Sequence, residues 1–227
     1  MWISELWRYP VKSMAGEPLQ EARLGAEGIP GDRMLYVVDS RGEILSARTK
    51  PGLLRHAATV TQGEVLVDGR PWQNAEVATS VRAAAGSDAR LVAATGPERF
   101  DILPLLVATD GAIEAFGYDG RRLRPNIVVA GVEGLTERDW EGRQLTAGEA
   151  VVALAELRGR CVMTTWDPET GDQDVDVLRH INSAFDGTLA LNAWAGREGR
   201  VAIDDPVELL DTPIEVTVPG GGRYGRG

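Results

Sequence analysis

Cys161 is the one cysteine in a chain of 227 residues, and it follows Leu157-Arg158-Gly159-Arg160. Cationic neighbours favour thiolate over thiol, and the thiolate is the form that attacks electrophiles and binds soft metals. Cysteine is also among the residue types most often buried and inert, so this segment alone leaves both readings open. A second basic run, Arg121-Arg122-Leu123-Arg124-Pro125-Asn126, offers planar forks for bidentate phosphate contacts and an amide for a heterocycle edge. Lys12 and Ser13 stand in the turn Tyr9-Pro10-Val11-Lys12-Ser13-Met14-Ala15-Gly16, where both can meet an anion, although the glycine spacing of a P-loop is missing. In the tight turn Gly28-Ile29-Pro30-Gly31-Asp32-Arg33, Asp32 can orient a basic side chain, or Arg33 can reach a ligand. Each of these segments has an ordinary alternative as a turn or a solvated loop. Together, one soft sulfur donor with several guanidinium, ammonium and amide donors suits a large anionic cofactor with a thiophilic centre.

Other chemistries find less support. His56 and His180 are the only histidines and have no i, i+4 partner, so a two-histidine metal site on a helix is not supported and both read as structural or surface residues. A single cysteine rules out an internal disulfide and the four-cysteine and two-cysteine zinc sites. There is no Gly-x-Ser-x-Gly elbow of a serine hydrolase. Trp140 reads as a core anchor. The net charge of −10 disfavours a general nucleic-acid or anionic-membrane binder, but not a local basic pocket. The opening MWISELWRYPVKS lacks a signal-peptide pattern, and no stretch reaches the roughly 18 apolar residues of a membrane span. The expected compartment is the cytoplasm.

The elements that must position these residues are mostly short strands. Strands are expected at 3–9, 19–24 and 34–39, with 44–48 pairing back as a hairpin and the segment 53–60 leading into a further strand. A hairpin is expected around Asp68-Gly69. A short helix at 80–85 and a strand at 91–94 follow. In the second half, strands are expected at 102–108, 127–130, 142–146, 150–157 and 162–166. A short helix at 112–116 is capped by Thr109 or Asp110. A longer helix at 174–185 carries Val175, Leu178 and Ile181 on one face, and two strands close the chain at 200–211. The glycine-rich tail from Thr212 is expected to be mobile at its end. Many short strands with few helices indicate a mainly β protein of barrel-like architecture.

With these segments in order, the chain resembles a known family. Tyr9-Pro10-Val11-Lys12-Ser13 followed by Gly28–Arg33 is similar to the N-terminal β-barrel module that precedes MOSC domains, the C-terminal domains of molybdenum cofactor sulfurases. Arg122-Leu123-Arg124-Pro125-Asn126-Ile127-Val128-Val129 resembles the family's arginine–proline–asparagine strand entry. Glu137-Arg138-Asp139-Trp140 resembles its acidic–tryptophan turn. Arg160-Cys161-Val162-Met163-Thr164-Thr165-Trp166-Asp167-Pro168-Glu169-Thr170-Gly171 resembles its arginine–cysteine signature. The likeness runs from about residue 3 to 211, nearly the whole chain.

The resemblance implies an α+β fold, mainly β with a few short helices, in which a MOSC β-barrel packs on an N-terminal β-barrel-like module. The expected domains are 1–92 and 93–211, with 212–227 as a tail. It implies a molybdenum cofactor, a Mo-pyranopterin, between the two modules. Cys161 would be the metal ligand, and Lys12, Ser13, Arg33, Thr109, Arg124, Asn126 and Arg160 would hold phosphate and pterin. Asp110 is expected to orient a metal-bound water or relay a proton. In the amidoxime-reducing branch of the family the chemistry is two-electron oxygen-atom transfer from small N-hydroxylated substrates. The sequence has no cysteines for an iron–sulfur cluster, so a separate ferredoxin- or flavin-type electron donor is expected. The alternative function is a carrier, with Cys161 holding a persulfide or the protein passing on cofactor without turnover. Two departures stand out: Ala112 replaces a serine common in the family, removing one expected cofactor hydrogen bond, and Gly159 precedes Arg160 where others offer a side chain.

Overall fold

The computed structural model describes residues 1–96 and 99–212. The expected tail beyond Thr212 lies outside the described residues. Strand β1 (Trp2–Arg8) buries Ile3 and Leu6. β2 (Glu17–Leu19) returns antiparallel beside it, with Leu6 opposite Leu19. β3 (Glu21–Leu24) follows at once but pairs elsewhere, so the single strand expected at 19–24 is two strands in different sheets. β4 (Leu35–Val38) pairs with β5 (Ile44–Leu45), as the hairpin pattern predicts. β6 (Ala58–Thr61), β7 (Glu64–Val67) and β8 (Arg70–Pro71) form a meander. Its second turn places Asp68 at φ 51 and Gly69 at φ 76, the left-handed pair that a two-residue hairpin loop requires.

Helix α1 (Ala75–Ala85) starts earlier than the expected residue 80, because the Asn74 side chain accepts from the Glu76 amide at 2.8 Å and caps it there. Its buried face of Val77, Val81 and Ala85 closes a core with Val11, Met14, Leu35, Val37, Val65 and Val67. β9 (Arg90–Ala93) then completes the sheet of β4 and β5.

The second half supplies β10 (Leu105–Thr109), helix α2 (Asp110–Phe116), β11 (Ile127–Ala130), β12 (Gln144–Ala147), β13 (Ala150–Gly159) and helix α3 (Asp176–Ala184). β14 (Thr188–Arg197), β15 (Gly199–Ala202) and β16 (Val207–Leu210) end the described chain. One eight-stranded sheet runs in the order β16-β12-β13-β14-β10-β11-β1-β2. Only β10 and β11 pair in parallel, and α2 makes the crossover between them. β3 and β15 form a separate pair.

The fold is mainly β with short helices, as expected, but the hydrogen-bonded ladder does not close into a barrel. The order is open between β16 and β2, and β1 meets the lead-in to β16 through an isolated Trp2–Pro206 bridge. The expected division at 92/93 separates segments of chain but not cores. Ile3, Leu6, Leu24 and Ile29 pack in the large core with Leu105, Ile127, Leu154 and Leu191. The chain therefore enters the large sheet first, leaves at the turn after Pro10 to build the smaller module, and returns. Among the described residues no helix is long and apolar enough to cross a membrane.

Three local expectations are corrected. Residues 162–166 are not a strand: Val162–Thr165 is a 3-10 turn. The Thr164 and Thr165 hydroxyls donate to the Cys161 carbonyl at 2.9 Å and the Val162 carbonyl at 2.6 Å, occupying groups that a strand would offer to a neighbour. Helix α3 buries Val177 and Ile181, whereas Val175 precedes the helix and is exposed. β14 has no counterpart among the expected strands. Its Leu189-Ala190-Leu191-Asn192-Ala193-Trp194 is buried throughout, so it lacks the alternation that marks a half-exposed strand.

Candidate functional site

The turn after β1 lies at the junction of the two cores. Lys12 donates its amide to the Leu35 carbonyl at 2.8 Å, and Arg33 donates to the Tyr9 carbonyl at 2.7 Å, which binds this turn to the start of β4. Across the junction lie the start of β10, the residues before β11 and the end of β13. Together they enclose a cleft of about 880 Å³, open mouth included.

Seven of the nine residues expected from the sequence line this cleft: Lys12, Ser13, Arg33, Arg124, Asn126, Arg160 and Cys161. Three of them hold left-handed backbone, Ser13 at φ 71, Arg33 at φ 50 and Arg124 at φ 58. Side-chain-bearing residues adopt that conformation at a cost, and such strain gathers at functional sites.

The cleft concentrates positive charge in an acidic protein. Among the described residues, seven arginines and one lysine line it, against one acid, Asp101. Lys12, Arg48 and Arg158 converge on Asp101 at 2.9, 3.1 and 3.3 Å. Burial by itself would raise the Asp101 carboxyl, but these cations hold it down at about 2. Asn192 orients Arg158, accepting from its guanidinium at 3.1 Å. Arg33 is paired with the buried Asp32, whose other oxygen accepts from the Tyr9 amide at 2.7 Å. Arg122 ties the loop after Cys161 to the cleft wall, reaching the Thr164 carbonyl at 3.3 Å and Asp167 at 2.8 Å.

Two cations are different. Among the described residues no carboxylate pairs with Arg124 or Arg160. Arg124 lies over the Tyr9 ring, 4.2 Å from its centroid. Arg160 donates one bond to the Leu123 carbonyl at 2.7 Å, and its Nε is buried without a partner. Burial pushes Arg124 down to about 10 and Arg160 down to about 9. A guanidinium so placed is stabilised by an anion that the protein does not itself provide.

Cys161 enters the cleft at the head of the 3-10 turn, within hydrogen-bonding reach of Arg48. Its backbone is extended, at φ −138 and ψ −180. Leu103, Leu105, Leu106, Leu123 and Met163 add apolar surface to the lining. No group of three or more His, Cys, Asp or Glu side chains is placed to hold a bare metal ion among the described residues. The donor set fits a metal that arrives with its own ligands and needs one protein thiolate. The unpartnered Arg160 Nε, the Arg124 fork and the apolar surface fit a flat, phosphate-bearing organic group.

Asn126 touches the cleft, but its amide is largely committed to the fold. Its oxygen accepts from the Leu106 amide at 3.1 Å, and its nitrogen donates to the Trp7 carbonyl at 3.2 Å. Ser13 accepts from the Ala47 amide at 3.0 Å, fixing the turn after β5 that carries Ser46 and Arg48 against the Lys12 turn.

Thr109 and Asp110 are not in the cleft. Thr109 is fully buried as the cap of α2, accepting from the Ala112 amide at 3.1 Å and meeting Glu137 at 3.2 Å. Asp110 accepts from the Gly131 amide at 2.7 Å and the Val132 amide at 3.0 Å, so its carboxylate anchors the loop after β11. Its position at a helix start, next to a cap, imitates a catalytic acid in sequence. Asp110→Ala is expected to lower stability by about 1–3 kcal/mol through these charge-assisted bonds, with the cleft's ligand content unchanged. Thermal melting together with cofactor analysis checks both halves. Ala112 is likewise buried in α2 and lines no part of the cleft, so a serine there would not face it.

His56 pairs with Asp68 at 2.7 Å, His180 stacks edge-on against Phe185, and Trp140 is buried in the large core. The cleft residues that sequence reasoning missed are Asp101, Arg48, Arg99 and Asn192, each isolated in sequence from any motif.

The chain was compared with known proteins. Residues 1–112 match the MOSC N-terminal beta barrel domain, and residues 108–208 match the MOSC domain. Mitochondrial amidoxime reducing component 2 of Macaca fascicularis is 26% identical, covering 74% of this chain and 68% of that protein. The Homo sapiens protein of that name is 24% identical, covering 78% of this chain and 71% of its own length. Among solved structures, the YUAD protein from Bacillus subtilis superposes with a TM-score of 0.46 at 14% identity, covering 91% of this chain and 93% of that one.

Proposed function

Since the chain belongs to the MOSC family, with the N-terminal module and the MOSC domain in tandem over residues 1–208, we propose that it is a molybdenum-cofactor oxidoreductase that reduces N-hydroxylated compounds. The family and its amidoxime-reducing relatives support a molybdenum-related, N-reductive role at family level. The observation that carries the finer reading is the cleft itself. One thiol, Cys161, shares it with two guanidinium groups, Arg124 and Arg160, that lack a carboxylate partner.

In this reading Arg124 and Arg160 would hold the cofactor's phosphate, with Lys12, Ser13 and Arg33 also lining the cleft. Leu103, Leu106 and Met163 would offer apolar surface to the pterin. The Cys161 sulfur would be the protein's ligand to the metal. When bound, such a cofactor supplies two-electron oxygen-atom transfer, taking the oxygen of an N–OH group and leaving an amine or amidine. Asp101, held at about 2, is a carboxylate throughout the neutral range. It fixes the directions of Lys12, Arg48 and Arg158 and can accept a hydrogen bond, but it does not donate a proton near pH 7. The 227 residues contain one cysteine, so electrons are taken to come from a separate ferredoxin- or flavin-type protein.

The test is reduction of benzamidoxime to benzamidine by molybdenum-loaded protein with an artificial electron donor. Turnover well above that of the cofactor-free protein is expected. No turnover with several donors, from protein shown to be fully loaded, would sink the reductase reading and favour a carrier.

A further inference from the structure

Strand β13 ends at Gly159, and nothing in the fold requires a glycine there. Its φ lies outside the left-handed range, and among the described residues an added Cβ would meet no atom within 4 Å. Other glycines have clear causes: Gly28 sits at φ +81, and a Cβ on Gly111 would stand 2.4 Å from the Val132 carbonyl oxygen. The register shift beside Gly159 is not the cause either. Leu157 faces Leu191 and Gly159 faces Thr188, so the extra residue lies on β14, where Ala190 takes the left-handed φ of 64. With a bulge and a packing contact set aside, a glycine at a strand end in a cleft leaves room for a ligand to approach the backbone closely.

That place is the cleft mouth. Gly159 is exposed, lines the cleft and stands two residues before Cys161, which lines it too. The rim beside it is built from long side chains held by ion pairs, Arg48 and Arg158 on Asp101. We propose that Gly159 sets the width of the mouth beside the Cys161 thiol, making the site open to flat, bulky substrates such as aryl amidoximes. The identity of those substrates rests on the reductase reading given above; the width does not.

Because Cys161 is the sole cysteine, its alkylation reports access to the cleft directly. The full chain, purified without cofactor, is treated in parallel with iodoacetamide and with N-(1-pyrenyl)maleimide. Wild type is compared with Gly159→Ala, Gly159→Val and Gly159→Phe, and melting temperatures show which variants fold; the alanine variant keeps the comparison if the largest does not. The ratio of the pyrenyl to the iodoacetamide rate is expected to fall stepwise with side-chain size, by about tenfold at valine. In cofactor-loaded protein, the ratio of kcat/KM for benzamidoxime to that for hydroxylamine should fall with it. An alkylation ratio that does not change with residue size overturns the inference, even if the wild type reduces both substrates. A size-dependent alkylation ratio in protein whose loaded form reduces neither substrate upholds the mouth assignment and defeats the reductase reading.

Discussion

Cys161→Ala, expressed in a molybdate-fed, cofactor-competent host, is expected to lose benzamidoxime reduction by more than about 100-fold, with molybdenum falling well below wild type. Changing even the partners of metal ligands commonly costs 10–100-fold, and here the change removes the one thiol of the cleft. The remaining soft atom among the lining side chains is the Met163 thioether, a neutral and weaker donor. Pterin is expected to be retained in part, since Arg124, Arg160 and Lys12 are untouched. Melting should change little, because Cys161 is only half-buried and its fold contacts run through its carbonyl to Thr164. Elemental analysis, pterin fluorescence and turnover are the three readouts. Full activity in this variant would remove the metal-ligand assignment.

Arg160→Met is expected to move cofactor content and stability in opposite directions. The cofactor-free wild type carries a guanidinium whose Nε has no partner and whose charge burial disfavours, pushing it down to about 9. Methionine fills similar volume without a charge. Uncompensated buried charge is costly, so the cofactor-free variant should gain about 1–2 kcal/mol, net of the lost bond to the Leu123 carbonyl. For a chain of this size that raises the melting temperature by roughly 2–6 °C. In the cofactor-competent host the same variant should hold several-fold less pterin, because an anion has lost one of its two unpaired cations. Arg160→Lys keeps the charge but not the planar fork, and should fall between the two. A lower melting temperature with unchanged pterin would make Arg160 a structural residue and contradict the phosphate assignment.

Much of this cleft is legible in sequence because its members travel in short motifs. Lys12 with Ser13, Asp32 with Arg33, Arg124 with Asn126 and Arg160 with Cys161 each sit on one tight turn or strand end. The type of each turn and the residues on it point to the same place. Asp101 has no such signature. Its role is to meet Lys12, Arg48 and Arg158, which come from three distant segments, and nothing near residue 101 in sequence records that convergence. Asn192 was hidden for a related reason, since it is the one amide in a strand whose apolar continuity obscured the strand itself.

The misplaced residues are equally instructive. Thr109 and Asp110 carry the polar groups of a helix start, and a helix start looks the same in sequence whether it faces a ligand or a neighbouring loop. The direction was decided by the parallel pairing of β10 with β11, which turns Asp110 toward the Gly131 and Val132 amides. The strand expected at 162–166 is a turn, because the Thr164 and Thr165 hydroxyls bond back to the carbonyls three residues before them. The open edge between β16 and β2 was out of reach of local pattern, because alternation says which face is buried and not whether a ladder closes.

The central claim is that the cleft holds a molybdenum cofactor. The most direct measurement is the molybdenum and pterin content of wild-type protein purified from a molybdate-fed, cofactor-competent host, by elemental mass spectrometry and by fluorescence after oxidation. Near-equimolar molybdenum and pterin is the predicted result. Folded protein with neither, beside a known molybdoenzyme loaded in the same host, would contradict it.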